Sequence, residues 1–167
     1  MSNTSLVKMS ERYCALAIGV LFLILGIAGF IPALVTLPGA GDMSFIPPAA
    51  AHDAYSLGFG YVFGLFPTNF LHNLVHCAVG LFGITAYTSY SSSRLFNRFF
   101  VVSYTLIAIM GLLPFAKTTF GLMPIFGNNV LLNGLNALAA AYYGIILPAK
   151  VSDTGVSRMS KKVPKTN

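Results

Sequence analysis

The chain has 167 residues, of which 56% are hydrophobic and 8% charged, with no Trp and a net charge of +6. A soluble domain carries roughly 25% charged residues, so this chain lacks the polar groups to cover a water-facing surface and is expected to use lipid as its solvent. The basic residues lie at the ends and in one short connection rather than in a stripe, which excludes a nucleic-acid partner.

Four long apolar runs predict four membrane-spanning helices, at about Tyr13 to Val35, Asn69 to Tyr87, Phe99 to Phe115 and Asn129 to Leu147. Each approaches the ~20 residues that a helix needs to cross ~30 Å of hydrocarbon, the third falling short. The runs are continuous, which favours helices over the alternating strands of a barrel. Lys8 and Arg12 precede the first run, Arg94 and Arg98 separate the second from the third, and Lys150, Arg158, Lys161, Lys162 and Lys165 follow the fourth. Four crossings place these nine on one side and leave Lys117 on the other, so both termini are expected in the cytoplasm. The first run is too long for a signal-peptide core of ~7–15 residues. The setting is expected to be a bacterial inner or thylakoid membrane.

The expected architecture is all-α: a transmembrane domain over residues 1–150 and a flexible basic cytoplasmic tail over 151–167. The tail lysines suit anionic lipid heads. Thr36 to Thr68 is the one sizeable external loop, and Ala49 to Leu57 within it is expected to form a short helix on the membrane. Cys14 and Cys77 fall inside apolar runs and read as packing residues.

The sequence also repeats. Phe63-Gly-Leu-Phe-Pro67 leads into Asn69, Asn73 and His76, and Phe120-Gly-Leu-Met-Pro124 leads into Asn129, Asn133 and Asn136. The unit is a two-helix hairpin used twice, over about residues 13–90 and 96–148, with its pseudo-axis along the membrane normal.

Asn69, Asn73, His76 and Gly80 recur at helical spacing and share a face; Asn129, Asn133, Asn136 and Ala140 form the matching stripe. Polar groups in hydrocarbon are costly unless paired. One reading makes the stripes structural glue, with Asn amides bonding between helices. A second makes them the lining of a small transporter or channel. A third concerns His72 and His76, one turn apart, whose neutral imidazoles could hold a metal, a haem iron or a chlorophyll magnesium. There His76 is expected to pair with Asn136 inside the bundle, while His72 faces outward and binds a cofactor, or a metal together with His52 or Asp53. No catalytic set is expected: His72-Asn-Leu-Val-His76 lacks the Glu of the zinc-protease motif, and the four runs contain no Asp or Glu.

The phrase from Phe63 to Ile84, FGLFPTNFLHNLVHCAVGLFGI, resembles a family of small bacterial four-helix membrane proteins classed as a domain of unknown function, common in cyanobacteria and actinobacteria. The matching positions are Asn69, His72, Asn73, His76, Gly80 and Gly83. The family's second copy often reads Asp-Asn-x-x-His, where this chain has Leu132, Asn133 and Asn136, so an acid and a ligand are missing. The resemblance implies a fold and no activity. The functional expectation is a non-enzymatic accessory subunit that docks among other membrane-protein subunits and lipids, in a photosynthetic or respiratory assembly, with pigment or lipid binding. The alternatives are the transporter lined by Asn and the haem- or metal-binding redox protein.

Overall fold

A computed structural model describes residues 3–39 and 55–151. Among them four helices dominate: α1 (Asn3–Ala28), α2 (Phe70–Ala86), α3 (Tyr90–Leu112) and α4 (Asn128–Ala141), the last running through a π-turn at Tyr142–Ile146. Three helical stretches, Thr4–Ala28, Tyr90–Leu112 and Asn128–Val151, are long and apolar enough to cross a membrane, and α2 is a shorter apolar helix of 17 residues.

Exposure is inverted relative to a soluble protein. Phe82, Leu95, Phe99, Leu131, Leu135 and Leu138 lie open on the outside, while Glu11, Asn69, His72, Asn73, His76, Asn97, Asn129 and Asn133 are buried. Large contiguous apolar surface is foreign to a soluble monomer and ordinary for a helix in lipid, so the chain is a membrane protein.

The helix limits depart from those expected. α1 begins at Asn3 rather than Tyr13 and stops at Ala28, ahead of Pro32. A proline disfavours helix in the residue before it, and the chain passes into a 3-10 turn over Pro32–Leu34. α3 begins nine residues before Phe99, because Ser89 caps it: its hydroxyl accepts from the Ser92 amide at 3.1 Å. Arg94 and Arg98, expected in a loop, are therefore helical, and the third helix is not short. Only Tyr87 to Ser89 separate α2 from α3.

The segment between α1 and α2 supplies an element that the all-helical expectation lacked. Strands β1 (Val35–Thr36), β2 (Gly60–Val62) and β3 (Phe66–Thr68) form an antiparallel sheet in the order β1-β2-β3, with Val35 opposite Val62 and Tyr61 opposite Pro67. Pro67 sits on an edge strand, where a missing amide hydrogen is tolerated. Phe63 (φ 53°) and Gly64 (φ 69°) make a tight left-handed turn between β2 and β3, the conformation that favours short hairpins. Phe63 pays for its positive φ in part through its amide, which donates to Leu34 O at 2.8 Å. Most of the expected surface helix, 49–54, lies outside the described residues; Tyr55 to Gly58 form a turn.

α1 packs along α2, and α3 along α4; α1 also meets α3, whereas α2 and α3 touch little. Phe22 of α1 occupies the centre, edge-on to Phe100, Tyr104 and His76 at 5.5, 5.0 and 4.8 Å. Ile18, Cys14, Ala137 and Ala140 complete this core.

Candidate functional site

Two buried polar clusters lie at opposite ends of the bundle. The first surrounds the start of α2. Asn69 caps the helix: its Oδ1 accepts from the His72 amide at 2.8 Å, satisfying one of the orphan donors of a helix start. Its Nδ2 donates to Tyr55 O at 3.1 Å and to Leu122 O at 2.8 Å. Asn69 thus fastens α2 to the loops on both sides. Tyr55 is itself buried, and burial, with Tyr61 beside it, pushes its hydroxyl well above the ordinary range.

Asn73 lies one turn deeper. Its Nδ2 donates to Gly29 O at 2.7 Å, and its Oδ1 accepts from the Thr68 hydroxyl. A side chain at Gly29 would collide with the Asn73 amide and displace it from this bond. Across the bundle, Asn129 Nδ2 donates to Pro67 O at 2.7 Å and to Pro124 O at 2.9 Å, and Asn128 Nδ2 reaches Leu65 O at 3.0 Å. Most of these amides bond backbone carbonyls of loops rather than partners on facing helices. Hydrocarbon cannot satisfy the carbonyls of irregular backbone, so side-chain amides do.

His72 and His76 are both buried, with their Nε2 atoms 2.9 Å apart and their ring planes nearly perpendicular. One Nε2 carries the proton and donates; the other accepts. This differs from the expected roles on two counts. His72 is enclosed rather than facing outward, because the β-sheet and the Pro124 loop cover the start of α2. The partner of His76 is His72, not Asn136: that amide bonds back to Leu132 O of its own helix at 2.8 Å. Asn136 is half-buried, whereas Asn133 is buried with an unpartnered Oδ1, as are His72 Nδ1 and Asn129 Oδ1. His52 and Asp53 lie outside the described residues. Among the described residues no three His, Cys, Asp or Glu side chains gather as metal ligands. Cys14 and Cys77 are free thiols.

The second cluster escaped the sequence reading. Glu11 precedes the first apolar run in the sequence, yet it is fully buried within α1. Its Oε1 accepts from Tyr90 Oη at 3.4 Å, its backbone carbonyl accepts from Asn97 Nδ2 at 2.9 Å, and Arg94 Nη1 donates to Tyr90 Oη at 3.3 Å. Arg12 donates to Tyr87 O at 2.7 Å, which fastens α1 to the α2–α3 turn. Glu11 Oε2, Arg94 Nε and Asn97 Oδ1 are buried without partners. The signal was present in the helical phase: stepping back from Phe22 through Ile18 and Ala15 lands on Glu11 and then Val7, all buried.

The fold and these clusters define a small helical-bundle membrane protein that keeps its polar side chains inside and its apolar ones outside. The chain belongs to a family described as a domain of unknown function, DUF4383, whose model matches residues 12–146. No curated protein and no solved structure matches it.

Proposed function

We propose that the chain is a non-catalytic accessory protein of a larger membrane assembly, and that its Asn and His residues form an internal clasp rather than a conduit or a cofactor cradle. The observation that carries this reading is the 2.9 Å bond between His72 Nε2 and His76 Nε2. It closes the only two histidines among the described residues on each other. The bonding of Asn69, Asn73 and Asn129 to loop carbonyls points the same way, since amides lining a pore would face water. What remains for partners is the apolar exterior, which suits helices of other subunits and lipid. A photosynthetic or respiratory complex is the expected setting.

The reading includes four spans with both ends cytoplasmic, resting on nine basic residues on one side against one on the other. At about 25 Å, α2 is brief for a span, and the β-sheet above it shields its outer end. The reading also includes descent from a duplicated hairpin. Phe63 and Gly64 have positive φ, as do Phe120 and Gly121 at the matched positions. The clasp is reciprocal: Asn69 reaches Leu122 O in the second unit, and Asn128 reaches Leu65 O at the matched leucine of the first.

The test is purification from native membranes in mild detergent, with an absorption spectrum and identification of co-purifying subunits. A colourless preparation that retains a stoichiometric membrane partner supports the proposal. A Soret or chlorophyll band lost on His72→Gln overturns the clasp in favour of a cofactor site. Reporter fusions at Gly41 and Ser92 should report opposite sides; agreement between them overturns the topology.

A further inference from the structure

Basic side chains from two helices converge at the end of the bundle where α3 begins. The Lys8 ammonium of α1 lies 5.4 Å from the centre of the Tyr90 ring, and the Arg94 guanidinium of α3 lies 5.8 Å from the centre of the same ring. The charge of Arg98, one turn farther along α3, acts on both Glu11 and Tyr90. In the adjoining turn the Arg12 guanidinium lies 4.8 Å from the centre of the Tyr87 ring. Tyrosine rings with basic residues beside them mark the polar edge of a bilayer.

The charges at this end do not balance. Glu11 is the only Asp or Glu among the described residues, and its carboxylate takes its hydrogen bond from Tyr90 rather than from a cation. Arg94 likewise bonds the Tyr90 hydroxyl, and Arg12 bonds a backbone carbonyl. Lys8, Arg94 and Arg98 thus gather around one carboxylate, which offsets a single positive charge. Glu11 is fully buried, whereas Lys8 and Arg98 are exposed, so the surplus lies on the outside of the bundle. Apolar surface borders it: Leu95 and Phe99, which follow Arg94 and Arg98 in the chain, are 71% and 72% exposed.

We propose that Lys8, Arg94 and Arg98 bind the headgroup of an anionic phospholipid, with its acyl chains along the apolar face of α3 that includes Leu95 and Phe99. Basic residues at the bilayer edge attract anionic lipid through the charge on its phosphate. A free phosphate would gain the cations but leave the apolar face unused. A zwitterionic lipid would cover the apolar face but bring an ammonium of its own among the cations. This inference goes beyond the accessory role and stands or falls separately: that role is read from co-purifying subunits, this site from lipid titration.

The experiment titrates the purified full chain in nonionic detergent with dioleoylphosphatidylglycerol and, in parallel, with dioleoylphosphatidylcholine, counting bound lipid by native mass spectrometry. Inorganic phosphate is added as a competitor. Saturable binding of the phosphatidylglycerol is expected, tighter than that of the phosphatidylcholine and undisturbed by phosphate at the same concentration. Lys8→Gln and Arg98→Gln should each weaken it about fivefold, the effect of one basic residue at an anionic lipid. Both positions are exposed, so thermal unfolding without lipid should match the wild type. A control variant carrying Lys161→Gln, Lys162→Gln and Lys165→Gln should keep the wild-type affinity. Equal affinity for the two lipids overturns the proposal. So does a loss confined to the control variant, which moves the binding to the tail. Displacement by phosphate at the same concentration also overturns it, leaving a site for a free anion.

Discussion

The two helical hairpins are built by different means. Between α1 and α2 the contact is backbone on backbone: a Cβ on Gly19 would sit 2.6 Å from Ile84 N, and one on Gly83 would sit 2.7 Å from the Gly19 Cα. Between α3 and α4 the close approaches lie near the ends: a Cβ on Gly111 would collide with Ile125 O and sit 2.8 Å from Val130 Cγ2, and one on Gly144 would sit 2.8 Å from the Asn97 Cβ, whereas Gly134 has nothing within 4 Å of where its Cβ would be. Half of the most apolar stretch of α1 is buried, against 22% for α3 and for α4. In lipid no hydrophobic force drives helices together, so association depends on close packing and internal polar bonds. The first hairpin has both along its length; in the second the close approaches are confined to the helix ends, and buried polar atoms without partners occur in both, Glu11 Oε2 and His72 Nδ1 in the first and Asn97 Oδ1, Asn129 Oδ1 and Asn133 Oδ1 in the second. α1/α2 is thus the rigid half, and α3/α4 carries more of the surface that faces lipid or partners.

Glycine substitutions should separate the halves most sharply. Gly83→Leu should destabilise the protein by about 3 kcal/mol, the upper part of the usual overpacking cost, because the obstruction is backbone that has nowhere to go. Gly134→Leu should be neutral or slightly stabilising, since leucine favours helix over glycine by roughly 0.8 kcal/mol. Thermal unfolding in detergent reads both. Equal losses would mean that the second hairpin packs as tightly as the first, or meets another copy at Gly134.

A smaller contrast is expected between matched asparagines. Asn73 bonds Gly29 O and the Thr68 hydroxyl, so Asn73→Leu strands both groups and should cost about 2 kcal/mol. Asn133 has an unpartnered buried Oδ1, so Asn133→Leu removes a desolvated group and should cost less than about 0.5 kcal/mol. A large loss at Asn133 would reveal a bound water or ligand at that oxygen. The histidine pair belongs to the same series. His72→Phe and His76→Phe each leave one ring nitrogen unpartnered, so the double variant should lose about 1 kcal/mol less than the sum of the singles. Additive losses would mean that the 2.9 Å bond contributes nothing.

Hydropathy made the helices legible, and Pro67 and Pro124 ahead of their asparagines marked where two of them start. Helix ends were less legible because hydropathy finds the hydrocarbon, not the helix: Ser89 starts α3 nine residues outside the apolar run, and Glu11 lies in a polar extension of α1 that is nonetheless packed. The partners of the polar residues were harder still. Spacing places His72 and His76 on one face, but it does not tell that Leu122 O and Pro67 O sit within reach of Asn69 and Asn129, because those contacts join residues 53 and 62 positions apart. The sheet was invisible because its strands are two or three residues long, too short to show alternation.

The smallest expected difference tests whether the reciprocal clasp is balanced. Asn69 and Asn128 each donate to a leucine carbonyl in the other half, yet their surroundings differ: Asn69 is fully buried, while Asn128 is exposed. Asn69 also caps α2, so Asn69→Ala loses a cap and two donated bonds. A loss of about 1–2 kcal/mol follows from the cap alone, with the two donated bonds adding to it. Asn128→Ala removes a bond that water can replace, and should cost roughly 0.5 kcal/mol or less. The pair is best compared by thermal unfolding in detergent and again in a bilayer of lipid nanodiscs. If the Asn128 loss grows in the bilayer to match that of Asn69, the Leu65 carbonyl lies below the headgroups and the clasp is a balanced structural pair. If the loss stays small, the Asn69 side alone holds the hairpins in register, and the rigidity of α1/α2 extends through Asn69 into the loop before α4.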